Sequence, residues 1–62
     1  MEKWIVTFAD GTVIAEGETF RAAAIEALRE ELEANGIDKD TVSDSELQGG
    51  LDASDFTCKR VS

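Results

Sequence analysis

Several residue types that enzymes depend on are missing from this 62-residue chain. It contains no histidine and no tyrosine, and Cys58 is its only cysteine. Without histidine, neither a Ser-His-Asp nor a Cys-His catalytic group can form within one chain. The chain also lacks the set of Cys and His residues that usually binds zinc. Because it has a single cysteine, it cannot form an internal disulfide. We therefore expect a non-catalytic protein without a metal ion or other cofactor.

Three further absences narrow the expected location of the protein and the classes of partner it can bind. No apolar run approaches the roughly 20 residues that a membrane-spanning helix needs. Residues 1–4 lead directly into strand-like sequence, without the basic and apolar regions of a secretory signal. Basic residues are few, six against fourteen acids, and they form no patch with interleaved aromatic residues. The sequence predicts a cytoplasmic protein that binds neither membranes nor nucleic acid directly.

The chain has an excess of negative charge, and this charge is confined to one region. Residues 26–55 hold ten acids and two bases, a net charge of −8, whereas the rest of the chain is balanced. Such a region repels nucleic acid and attracts basic surfaces. A solvated face that keeps the protein soluble is the simple alternative, although interspersed charges would serve solubility equally well. The segregation favours a basic protein partner.

The first 17 residues have the pattern of a β-hairpin. Apolar residues alternate over residues 4–9, as in a half-buried strand. Asp10-Gly11 suits a two-residue type I′ turn, because both residues tolerate positive φ. This turn predicts three cross-strand pairs: Phe8 with Val13, Val6 with Ala15, and Trp4 with Gly17.

A helix is predicted over residues 20–34, which contain no glycine or proline and many strong helix formers. Thr19 can cap its start, and Asn35-Gly36 can end it. At 100° per residue, one side is apolar and carries Ala24, Ile25, Leu28 and Leu32. The opposite side carries Glu26, Glu30 and Glu33.

The remaining residues predict one more strand, over 56–61. The segment before this strand is either a plain loop or a short helical turn capped by Ser43 or Asp44. Leu47 and Leu51 are four residues apart and could share a helix face, but Gly49-Gly50 lies between them and argues against a longer helix. A right-handed crossover places the last strand beside the first. We thus predict one α+β domain, residues 1–62, with a three-stranded antiparallel sheet (ββαβ, order 2-1-3) and one main helix packed on one face. The expected core is Trp4, Val6, Phe8, Val13, Ile25, Leu28, Leu32 and Phe56.

The acidic residues supply the candidate binding surface. Carboxylates one helical turn apart are spaced about 5–6 Å, close to the spacing of successive phosphates along a nucleic acid strand. A row of them can therefore occupy a groove that normally holds nucleic acid. The candidate partner-binding residues are Glu26, Glu30, Glu33, Asp38, Asp40, Asp44 and Glu46.

A calcium loop beginning at Asp38 is a competing explanation for part of this acidic region. The pattern places Val42 at a ligand position, Ser43 where glycine is needed, and Gly49 where the bidentate glutamate belongs. Three mismatches argue against a dedicated calcium site.

The chain combines a minimal hairpin-and-helix body with a row of acids, Glu26, Glu30 and Glu33, and with further acids in residues 38–55. In these features it resembles small acidic phage-encoded inhibitors of the anti-CRISPR type. The resemblance implies a DNA-mimic inhibitor that blocks a basic nucleic-acid-binding surface of a Cas effector, in the host bacterial cytoplasm. A second, local similarity rests on Gly17-Glu18-Thr19, followed by Ala22-Ala23-Ala24 and Ala27-Leu28. This segment is similar to the strand-to-helix junction of HicB-type antitoxins, acidic domains that mask a small basic RNase.

A different class of function stays open beside these two. Ile5, Thr7 and Ile14 are predicted on the second face of the sheet, where they can support a structural or assembly module that homodimerises through its sheet. Salt separates the alternatives, because binding through acids weakens steeply with ionic strength and a sheet-mediated dimer responds little.

Overall fold

Two β-strands, two helices and a third strand follow one another along the chain. The computed structural model describes residues 1–62. Its three strands form one antiparallel sheet in the order β2-β1-β3, which confirms the predicted fold class. The elements are β1 (Trp4–Thr7), β2 (Val13–Gly17), α1 (Phe20–Ala34), α2 (Asp44–Ala53) and β3 (Thr57–Arg60).

The hairpin loop is one residue longer than predicted. The Gly11 N–H donates to the Phe8 carbonyl at 2.9 Å, and the Phe8 N–H donates to the Thr12 carbonyl at 2.8 Å. Residues 9–11 thus form a three-residue loop, with Gly11 at φ +92°. Val13 consequently pairs with Thr7 instead of Phe8.

A β-bulge in β2 restores the predicted register for the rest of the hairpin. Thr7 pairs with Val13 and Val6 pairs with Ala15, so Ile14 is an extra residue with no partner on β1. Val6 with Ala15 and Trp4 with Gly17 are paired as predicted. The inclusion of Val13 in the core was wrong, because the longer loop turns it to the other face of the sheet, where it is 50% exposed.

Helix α1 begins and ends where the local signals indicated. The Thr19 hydroxyl accepts a hydrogen bond from the Ala22 N–H at 3.0 Å. At the other end, Gly36 adopts φ +67° and the Ile37 N–H donates to the Leu32 carbonyl at 2.8 Å. This is the arrangement in which a left-handed residue closes the last helical turn.

Helix α2 replaces the predicted short turn with a ten-residue helix. The Ser43 hydroxyl caps it by accepting from the Glu46 N–H at 3.1 Å. Leu47 and Leu51 lie on one face and have no exposed area. The helix ends at Ala53 with Ser54 as its C-cap, and the next residue, Asp55, adopts the left-handed conformation at φ 59° without being a glycine.

Both helices cover the same face of the sheet. The buried core is a single cluster formed by Val6, Ala15, Ala23, Ala24, Leu28, Leu32, Val42, Leu47 and Leu51. Small residues bring α1 close to the sheet: a Cβ placed on Gly17 would lie 2.5 Å from the Ala23 nitrogen. The opposite face of the sheet carries no helix, and we call it the open face.

The predicted core is confirmed in part. Val6, Leu28 and Leu32 are buried, and Trp4, Ile25 and Phe56 are partly buried against the cluster. Phe8 was wrongly included, because it lies beyond the end of β1 and is 46% exposed, with its ring 5.9 Å from that of Phe56.

Candidate functional site

Three glutamates line the solvent side of α1. Glu26, Glu30 and Glu33 are exposed, and none of them forms an ion pair within the chain. They lie across the helix from the buried Leu28 and Leu32. We call these three residues the α1 stripe. Their carboxylates are free to bind a partner.

The charges of α1 oppose the helix macrodipole. The first turn of α1 contains no acid and the last turn contains no base. The acids Glu30, Glu31 and Glu33 lie instead in the C-terminal half, where the partial charge of the helix is negative and further negative charge is unfavourable. Arg29 forms no ion pair that would offset them. Selection for stability alone favours the reverse arrangement.

Two of the predicted binding residues are used within the fold. Asp44 Oδ1 lies 3.0 Å from Arg21 Nη1 in an ion pair, and Arg21 Nη2 donates to the Lys39 carbonyl at 2.8 Å. Asp38 Oδ1 accepts a hydrogen bond from the Asp40 N–H at 2.8 Å. Arg21 and Asp44 therefore hold the segment between the helices against the start of α1, and Asp38 stabilises a local turn within that segment.

The predicted acids do not form one continuous surface. Arg21 is seven residues before Leu28 and thus lies on the same side of α1, away from the α1 stripe. Its partner Asp44 lies on that side too. The structure brings Glu26, Glu30 and Glu33 together and separates them from Asp44, while Asp40 is exposed in the segment before α2.

Glu46 borders a cleft that also includes a glutamate absent from the predicted set. The cleft has a volume of ≈ 190 Å³ and lies between α1, α2 and the segment that joins them. Glu31 and Glu46 line it together with apolar residues such as Leu32 and Val42. Glu31 Oε1 accepts a hydrogen bond from the Ser54 hydroxyl at 3.0 Å. No local sequence signal identifies Glu31, because its neighbours come from α2, some twenty residues later.

The one thiol of the chain, Cys58, is half-buried at the edge of the core. Burial raises the pKa of the Cys58 thiol, so the thiol stays protonated at neutral pH and is a poor nucleophile. No three His, Cys, Asp or Glu side chains are grouped to hold a metal ion. Neither helix has the length and apolar character needed to cross a membrane.

Comparison with known proteins gives no relative from which a function can be transferred. The chain matches no protein-family model, and no curated protein and no solved structure is significantly similar to it.

Proposed function

We propose that this protein is a non-catalytic inhibitor that binds the basic nucleic-acid-binding surface of another protein through the α1 stripe. One observation carries the proposal: three unpaired carboxylates occupy successive turns of an exposed helix face, where they weaken the helix. A basic partner would relieve both the mutual repulsion and the unfavourable interaction with the helix dipole.

The spacing of the stripe supports mimicry of a nucleic acid strand. Side chains at i, i+3 and i+4 are about 5–6 Å apart, so Arg and Lys residues arranged to bind successive phosphates can bind successive carboxylates instead. The three carboxylates are already exposed in the folded chain. Binding would exclude nucleic acid from the groove by direct competition.

The resemblance to anti-CRISPR inhibitors makes a Cas effector the first target to test. The HicB-like junction at residues 17–28 makes a small basic RNase the second. Both targets bind nucleic acid through basic surfaces, and both would be blocked in the bacterial cytoplasm. The proposal is therefore tested with Cas effectors and with a small basic RNase as purified probes.

A matched pair of variants tests the role of the stripe. The first carries Glu26→Gln, Glu30→Gln and Glu33→Gln. The control carries Glu18→Gln, Asp52→Asn and Asp55→Asn, which remove the same amount of charge outside the stripe. We expect the stripe variant to bind the probe at least about tenfold more weakly, and the control to change affinity by less than about threefold. Binding is measured by titration calorimetry or by surface plasmon resonance.

Two results would contradict the proposal. Equal weakening by both variants would mean that net charge alone governs binding. A ternary complex in which fluorescent target DNA stays fully bound to the inhibited effector would rule out competition for the groove. Far-UV circular dichroism must show that both variants remain folded, which is expected because the substitutions are at exposed positions.

A further inference from the structure

The open face of the sheet presents a row of residues that is complementary to itself. Ile5 on β1 pairs with Glu16 on β2 and with Lys59 on β3. Paired residues of neighbouring strands project from the same face. The row therefore runs from a negative charge through an apolar centre to a positive charge across the three strands.

We propose that two copies of this chain form a dimer by packing their open faces together, with a two-fold axis parallel to β1. This axis places β2 of one copy over β3 of the other. Glu16 then faces Lys59 of the second copy, twice, and the two Ile5 side chains meet at the centre. A two-fold axis perpendicular to the strands would place like charges opposite each other, so the row selects one orientation.

The next row along the strands is compatible with the same axis. Thr7 pairs with Val13 on β2 and with Thr57 on β3, so Val13 would face Thr57 of the second copy. Val13 is 50% exposed in the single chain, and the dimer would cover it. Sheets stacked in this way lie about 10 Å apart with their side chains interdigitated.

The open face also carries less negative charge than the rest of the chain. The open face carries Lys3, Glu16 and Lys59, two bases and one acid, and the remainder of the chain carries four bases and thirteen acids. Lys59 has no ion-pair partner within the chain, whereas Glu16 Oε1 lies 3.1 Å from Lys3 Nζ. The part of the chain outside the open face has a net charge of 4 − 13 = −9, so contact between two such regions would on average oppose negative charges.

The dimer does not depend on the proposed inhibitor function. The helices cover the face of the sheet opposite to the interface, so Glu30 and Glu33 would point outward. Glu26, which borders the same depression as Val13 and Glu16, would lie near the edge of the interface. A dimer could then engage two basic sites at once, which would raise its avidity for a target with repeated subunits.

Two charge reversals and their mixture test the interface. Sedimentation equilibrium should show that the parent protein is dimeric, and that Glu16→Lys and Lys59→Glu each raise the dimer dissociation constant at least about tenfold. The first variant has two bases in its row and the second has two acids. Their equimolar mixture should recover the dimer, because each base then faces an acid. Arg60→Glu, the same charge change on the opposite face, should leave the dimer unchanged.

Each alternative result would overturn the proposal. The parent protein could remain monomeric up to about 1 mM, a concentration that detects even weak association. The mixture could stay monomeric although both variants are folded by circular dichroism, or Arg60→Glu could dissociate the dimer as strongly as Lys59→Glu. None of these measurements involves a nucleic-acid-binding target, so failure here is separate from failure of the inhibitor function.

Discussion

Helices α1 and α2 pack on the same face of the sheet but are stabilised in different ways. α1 consists mainly of strong helix formers, whereas α2 has two consecutive glycines in its middle. Leu47 and Leu51 of α2 are nevertheless among the most buried side chains of the protein, at 0% exposure. The comparison shows that α2 is stabilised by the burial of its apolar face. α1 is stabilised by the burial of its own apolar face and, in addition, by the high helix propensity of its residues.

The largest effect is expected from removing the buried leucines. Leu51→Ala in α2 and Leu28→Ala in α1 should each lower the free energy of unfolding by about 2–5 kcal/mol. This is most of the stability of so small a domain. Urea titration followed by circular dichroism measures the loss, and Val61→Ala, at an exposed position, should change stability by less than about 1 kcal/mol.

The Leu51→Ala variant also tests whether α2 belongs to the cooperative unit. Because Leu51 lies in the same buried cluster as Val6 and Leu28, helix and sheet signals should be lost together. A variant that lost only the circular dichroism of ten helical residues, with Trp4 fluorescence unchanged, would show that α2 is an independent attachment.

The two helix ends allow the next comparison. Gly36 follows the C-cap of α1 and Asp55 follows the C-cap of α2, both in the left-handed conformation, at φ +67° and φ 59°. This conformation costs a residue with a Cβ about 1–2 kcal/mol. Gly36→Ala should therefore destabilise the protein by about 1 kcal/mol and Asp55→Gly should stabilise it by a similar amount. Both are measured by urea titration.

Asp55→Asn separates conformation from charge at the end of α2. Asparagine tolerates the left-handed region, and it removes the negative charge from a helix C-terminus. It should give a smaller stabilisation than Asp55→Gly. Destabilisation by Asp55→Gly would mean that the aspartate side chain makes a contribution that the structure does not explain.

The smallest effects are expected at the adjacent glycines of α2. A Cβ added to Gly49 would have no neighbour within 4 Å, so Gly49→Ala should stabilise the protein by about 0.5–1 kcal/mol. A Cβ added to Gly50 would lie 3.0 Å from Leu28 Cδ1, so Gly50→Ala should give a smaller gain or a loss. Thermal unfolding of the two variants at equal concentration distinguishes them; an equal gain would show that α1 and α2 are not tightly packed there.

The features that the sequence predicted correctly depend on local signals. Thr19 and Asn35-Gly36 act within one turn of α1, so its limits could be predicted before any tertiary contact was known. α2 could not, because Gly49-Gly50 hides a helix that forms only when Leu47 and Leu51 are buried by other elements. Asp10-Gly11 suits a loop of two residues and a loop of three equally well, so Val13 could not be assigned to a face.

The same distinction applies to the candidate site. Helical periodicity placed Glu26, Glu30 and Glu33 on one exposed face of α1. Asp44 was assigned to the same surface because it is acidic, but its partner Arg21 is 23 residues away in the sequence. The contact of Glu31 with Ser54 spans the same separation. Contacts of this length follow from packing and have no signature in a local pattern.

The extra residue in β2 protects one edge of the sheet against the addition of further strands. β2 and β3 are the edges of the sheet, and a regular exposed edge can add strands from further molecules without end. Ile14 breaks the repeat of free N–H and carbonyl groups along β2 and increases its local twist. At the other edge, β3 is only four residues long and carries Lys59 and Arg60. Neither edge offers a template for fibril growth, so association through the face of the sheet would stop at a closed pair.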